Sequence, residues 1–177
     1  MISRVYNIDC IEFMRKVPDN FFDLSIVDPP YGINADTMNM GSNPFRSRIG
    51  GSGPEISTAV KQRSKRFAGG GKLKNRILNK SDVFWDNEKP SELYFSELKR
   101  VSVNQIIWGG NYFPLPPTRG IIAWDKMQPW DNFSQFELAW SSFEMPARIF
   151  KYSNTGGANL EKKIHPTQKP IALYKWL

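Results

Sequence analysis

Leu24-Ser25-Ile26-Val27-Asp28-Pro29-Pro30-Tyr31 is the stretch on which the reading of this chain turns. Its first four residues form a short apolar run, which predicts a buried strand. Two consecutive prolines cannot continue a central strand and remove two backbone donors. The chain therefore leaves the sheet at Asp28 in a stiff, extended turn. That turn gathers one carboxylate, free carbonyls and one aromatic ring. In an open α/β sheet, ligands collect at the carboxyl ends of strands, so a site is expected here.

Working outward, strands and helices alternate. Arg4 to Ile8 reads as a short strand, and Asp9-Cys10-Ile11-Glu12 resembles a capping box opening a helix that ends before Pro18. Pro90 or Ser91 starts a helix running to about Val101, with Leu93, Tyr94, Leu98 and Val101 as its inner face. Gln105 to Trp108 is the next buried strand, stopped by Gly109-Gly110. These glycines read as a tight turn needing unusual backbone angles. The aromatics Tyr112 and Phe113 follow, so two strand ends are expected to converge on one pocket. Gly120 to Trp124, Phe136 to Trp140 and Ala147 to Tyr152 are strands with little helix between them, which predicts an antiparallel pair on an otherwise parallel sheet. The expected class is α/β, open and doubly wound.

The 177 residues, 40% of them hydrophobic and 14% aromatic, suffice for one ordinary core and one domain. The net charge of +7 favours a polyanionic partner. It is unevenly spread. Between Gly41 and Lys80, ten basic residues face one acid, Glu55, so this stretch carries +9 and the remainder about −2. With Gly50-Gly51-Ser52-Gly53 and Gly69-Gly70-Gly71, residues 36–80 read as a long mobile insertion, either a solvated loop or a nucleic-acid contact surface. Lys61, Arg63, Lys65 and Arg66 are its candidate DNA-contacting residues. Neutralising them together is expected to weaken DNA binding and flatten its salt dependence. No leader-like or membrane-spanning run is evident, so a soluble, cytoplasmic protein is expected, with no membrane partner. A single cysteine, Cys10, excludes an internal disulfide framework and reads as a small helix residue. His165 is the only histidine, which disfavours a metal cluster or a Ser-His-Asp arrangement around it.

Four segments carry a resemblance. Asp28-Pro29-Pro30-Tyr31-Gly32, then Phe84-Trp85-Asp86, then Gln105-Ile106-Ile107-Trp108-Gly109-Gly110-Asn111-Tyr112-Phe113, and finally His165-Pro166-Thr167-Gln168-Lys169-Pro170 together resemble a DNA methyltransferase. The similarity is to the amino-methylating N4/N6 family, in the arrangement where the catalytic tetrapeptide precedes the cofactor-binding glycine loop. It implies a Rossmann-like methyltransferase sheet, S-adenosylmethionine as cofactor and DNA as partner. Asp rather than Ser at position 28 leans toward adenine N6 over cytosine N4. The catalytic set it implies is Asp28, Pro29, Pro30 and Tyr31. Cofactor contacts fall on Asp28, on His165, Thr167 and Lys169 beside the methionine part, and on Asp9 beside the adenine moiety. Thr167 and Lys169 are the better candidates of the late block, with His165 fixing its loop. An aspartate before a helix is also a simple cap.

Chemistry reaches the same place from the residues. An exocyclic amine on a purine has its lone pair delocalised into the ring and is a poor nucleophile. Two acceptors on its hydrogens, the Asp28 carboxylate and the Pro29 carbonyl, draw the nitrogen toward tetrahedral geometry and stabilise developing positive charge. Tyr31 stacked on an everted base contributes about 1–3 kcal/mol, comparable with the cost of unstacking. Set against this, Asp28 can merely close a turn and Tyr31 merely fill the core. Trp85, Trp108, Trp124 and Trp130 are stacking platforms in a purely nucleic-acid-binding protein, or simply core. An Asp28 carboxylate buried in a salt link, or turned from any cavity, removes the proposed chemistry.

One departure from the family is large. The Phe-x-Gly-x-Gly turn expected after the His165 block is absent, and the sheet is expected to be incomplete at the C-terminus. Truncation, weak donor binding, or completion by another chain follow as alternatives. Truncation, the preferred reading, leaves Leu24 to Val27 at an unpaired apolar edge, inviting self-association.

Overall fold

A computed structural model describes residues 4–35, 84–127, 134–153 and 167–177 of the chain. Five strands form one open mixed sheet in the order β1-β2-β4-β3-β5, where β1 is Phe22–Val27, β2 Ser102–Trp108, β3 Ile122–Asp125, β4 Phe136–Ser141 and β5 Arg148–Lys151. β1 runs parallel to β2, with Leu24 opposite Asn104 and Val27 opposite Ile107. β4 runs against both β2 and β3, and β3 is parallel to β5. Four strands thus share one direction and β4 opposes them, which is the antiparallel feature the late strands predicted. The carboxyl ends of β1, β2, β3 and β5 lie along one edge of the sheet, together with the start of β4. Among the described residues no helix is long and apolar enough to cross a membrane.

Alternation along β2 separates two cores. Ile107 enters one cluster with Tyr94, Phe95, Leu98, Val101, Met14, Phe113 and Trp140. Its neighbours Ile106 and Trp108 enter the other, with Ile122, Trp124, Ala139 and Leu173. Successive strand residues face opposite sides, so helices cover both faces. The first face carries α1, Cys10–Met14, and α2, Glu92–Val101; the second carries α3, Ile171–Trp176.

In α2 the buried residues are Tyr94, Phe95, Leu98 and Val101. Leu93, expected inside, is exposed, and Phe95 takes its place. The reason is phase: Tyr94, Leu98 and Val101 fix the stripe, and position 95 falls three residues before Leu98 on that stripe while position 93 falls off it. Phe95 packs on Phe113 with ring centroids 5.0 Å apart.

The strand expected at Arg4 to Ile8 does not form. Among the described residues these make no sheet pairing, and Val5 is 96% exposed. A run rich in strand-formers becomes a strand only when it pairs, and among the described residues β1, at the end of the sheet order, pairs with β2 alone. Tyr6 rests instead on Phe13, 5.4 Å away. The cap that follows does form: Asp9 Oδ1 accepts the Glu12 N–H at 2.9 Å. The reciprocal half of the capping box is replaced, because the Glu12 carboxylate pairs with Lys16 at 2.6 Å.

Arg100 joins the two helices of the first face. Its guanidinium donates to the carbonyls of Met14 at 2.7 Å and Val17 at 2.9 Å, at the end of α1. It also pairs with Asp19 and Glu97, each at 2.7 Å.

Candidate active site

Asp28 leaves β1 where the sequence placed the turn. With Val27, Pro29 and Pro30 it lines a cavity of about 480 Å3, whose other walls are Cys10 and Ile11 at the start of α1 and Glu88, Lys89, Pro90, Ser91 and Tyr94 leading into α2. Burial, with the charges of Cys10 and Asp28 adding to it, pushes the Tyr94 phenol up to about 12.

The carboxylate of Asp28 is fully engaged. Oδ1 accepts the Tyr31 hydroxyl at 2.7 Å, and Oδ2 is in contact with the Lys169 ammonium. Its side chain keeps 30% of its accessibility, whereas that of Lys169 keeps 3%. The carboxylate therefore lines a cavity, as expected, and with 30% of its side chain accessible its salt link is not a buried one, but it is not the unpaired acceptor the sequence suggested. A lysine brought back from the far end of the chain neutralises it at the strand end.

Lys169 is also 3.2 Å from Glu137, which holds Lys126 at 2.5 Å. The two ammonium groups lie over the rings of Trp108 and Trp124, at 5.1 and 5.5 Å. Burial alone would raise the Glu137 carboxyl, but the charges and hydrogen bonds of Lys169 and Lys126 outweigh it and hold the group below its ordinary range. The result is an alternating row of charge, Asp28, Lys169, Glu137, Lys126, along the strand ends.

Tyr31 does not present an open ring. It is stacked on Tyr112 with centroids 4.8 Å apart and planes 16° from parallel, and it meets Phe113 edge-on at 6.2 Å. Burial first, then the Asp28 and Glu137 charges, drive its phenol well above the ordinary value. Gly109 has φ +69, confirming the tight turn, and a Cβ there would stand 2.2 Å from Tyr31 Cε1. Gly110 is small for a different reason, the close approach of Trp140, 2.5 Å from where its Cβ would be. The ends of β1 and β2 thus meet through aromatic packing. Gly109 to Phe113 are not among the walls of this cavity.

Sequence reasoning gave no role to Asp86, whose carboxylate receives four backbone N–H groups. Those of Tyr31 and Gly32 reach Oδ1 at 2.6 and 3.0 Å, and those of Ile33 and Ala35 reach Oδ2 at 3.3 and 2.9 Å. Nearby, Lys89 donates to the Tyr112 carbonyl at 3.0 Å. Glu137 was missed too, although a lone acid opening an otherwise apolar strand was a legible signal.

Of the remaining candidates, Asp9 serves as the cap of α1, directly before Cys10 and Ile11 of the cavity wall. Thr167 is exposed and lies two residues before Lys169. His165, the four insertion residues Lys61, Arg63, Lys65 and Arg66, and the whole of 36–80 lie outside the described residues. A scan against protein-family models finds no match to this chain, and a search of curated proteins finds none either.

Proposed function

We propose that this chain methylates the exocyclic amine of an everted DNA base, adenine N6 in preference to cytosine N4, with S-adenosylmethionine as donor. The supporting observation is convergence: residues 10–11, Asp28 with its two prolines, and Lys169, separated by up to 159 positions in sequence, meet at one sheet edge beside one cavity. The open sheet with helices on both faces fits a doubly wound, Rossmann-like methyltransferase.

The cavity fits the donor in size, being within the roughly 300–1,000 Å3 of small-molecule sites. Its charged walls are mixed, Asp28 and Glu88 beside Lys89, which suits a donor that carries a sulfonium, an ammonium and a carboxylate. When bound, the donor supplies an electrophilic methyl group and leaves as a neutral thioether. Cys10, Ile11 and Tyr94 would flank its nucleoside part. Lys169 anchors Oδ2 of Asp28, so Oδ1 is the oxygen free to change partner, releasing the Tyr31 hydroxyl for one amine N–H. The Pro29 carbonyl takes the other. Both acceptors sit on a turn stiffened by two prolines, so little is lost in holding them still. After the new C–N bond forms, the nitrogen releases one proton to the Asp28 carboxylate.

A second reading, a nucleic-acid-binding chain without catalysis, is favoured by the engagement of both Asp28 oxygens and the packed Tyr31 ring. Calorimetry with S-adenosylmethionine separates the two. Saturable binding, followed by transfer of labelled methyl to unmodified DNA, is the expected result; DNA binding with neither donor binding nor transfer would leave the second reading standing. Among the described residues the outer edge of β1 pairs with no strand, which supports a complementing strand from a second copy or another chain. A monodisperse monomer in light scattering would remove that part of the proposal.

A further inference from the structure

We propose that Asp86 is the positioning residue of the Asp28–Tyr31 turn: its carboxylate gathers the N–H groups of Tyr31, Gly32, Ile33 and Ala35 and so sets the backbone from which Tyr31 reaches Asp28. The inference rests on the proposed function for its kinetic consequence alone.

Asp86 is 2% exposed, and among the described residues no lysine or arginine pairs with it. A buried carboxylate without a cation is costly unless hydrogen bonds replace the lost water. Here four amides do so, two on each oxygen. Such convergence requires a special backbone. Gly32 and Asn34 take φ of +66 and +55, in the left-handed region, and the alternation turns successive N–H groups to one side as a concave anion-binding nest. The Asp86 carbonyl adds a bond from the Asn34 N–H at 3.1 Å.

Tyr31 is therefore clamped at both ends. Its N–H meets Asp86 at 2.6 Å and its hydroxyl meets Asp28 at 2.7 Å. A tilt of the 31–35 backbone moves the hydroxyl away from Oδ1, the oxygen that must exchange partner during transfer. Gly32 transmits the constraint further, because a Cβ there would lie 2.8 Å from Lys89 Cγ. Asp86 is not among the walls of the cavity, so it acts through the turn.

The test compares wild type, Asp86→Asn and Asp86→Glu. In wild type, nuclear magnetic resonance should find the Tyr31, Gly32 and Ala35 amide protons shifted downfield and protected from exchange. Unshifted, fast-exchanging amides overturn the proposal whatever the variants do, including the case in which Asp86→Asn does not fold. In folded Asp86→Asn the new NH2 faces two N–H donors, so two of these amides should lose protection. The methyl-transfer rate at saturating donor should fall at least about tenfold with the donor dissociation constant changed less than about threefold, the signature of lost positioning. Asp86→Glu, which keeps both acceptors, should recover part of the rate. Lost protection with an unchanged rate overturns the proposal. A wild-type chain that transfers no methyl group sinks the function, and the amide measurement then decides Asp86 by itself.

Discussion

Tyr31 concentrates the chemistry of the turn at the scale of one residue. Asp86 holds its amide, Asp28 its hydroxyl, Tyr112 one face of its ring, and Gly109 leaves room for the ring edge. Gly109→Ala attacks this arrangement twice. Alanine at φ +69 costs about 1–3 kcal/mol in backbone conformation alone. Its methyl would also stand 2.2 Å from the Tyr31 ring, which must move. The expected outcome is a lower denaturant midpoint at unchanged slope, with methyl transfer lost more than donor binding. A variant as stable as wild type would show that the ring is not wedged there. The engaged state of Asp28 also has meaning at this scale. Lys169 places a buried positive charge on a carboxylate that still reaches solvent at the cavity mouth.

At the scale of elements, Arg100 couples α2 to α1 by donating to the Met14 carbonyl, which also accepts the Val17 N–H, and to the Val17 carbonyl just past the helix end. Arg100→Ala should therefore speed amide exchange in Cys10–Met14 more than in β2, and loosen the Cys10 and Ile11 wall of the cavity. Uniform exchange across both elements would show that α1 holds itself. Most elements were legible because their signals are local: the double proline ending β1, the aspartate capping α1, the glycine pair closing β2. What was not legible depended on partners far away in sequence. Arg4 to Ile8 has strand composition but, among the described residues, pairs with no strand. Tyr31 looked available because Tyr112 lies 81 positions on, and Asp28 looked unpaired because Lys169 lies 141 positions on. Asp86 stands in the Phe84-Trp85-Asp86 block, yet its role as the anion held by a nest of amides depends on a loop 51 to 55 positions away.

For the molecule as a whole, the row of charges at the carboxyl edge links stability to pH. The folded Glu137 carboxyl sits below its ordinary value of 4.5, so at acid pH the unfolded chain binds the proton first. The stabilisation from Glu137 is thus complete above about 4.5 and is lost as pH falls through the lower folded value. Glu137→Gln should remove that slope and cost roughly 1–3 kcal/mol near neutrality, as Lys126 and Lys169 lose their shared anion. Urea titrations between about pH 3 and pH 7, the window set by an ordinary carboxylate, check it. Coincident wild-type and variant slopes would contradict it. The same row bears on the central claim, that Asp28 and the peptide carbonyl beside it activate a base amine at the mouth of the cavity. The direct measurement is transfer of labelled methyl from S-adenosylmethionine to unmodified DNA by wild type and by Asp28→Ala, at matched donor occupancy. Transfer by the wild type that falls at least about a hundredfold in the variant, the scale of a lost transition-state acceptor, is the expected result. Equal rates in the two proteins would contradict the account.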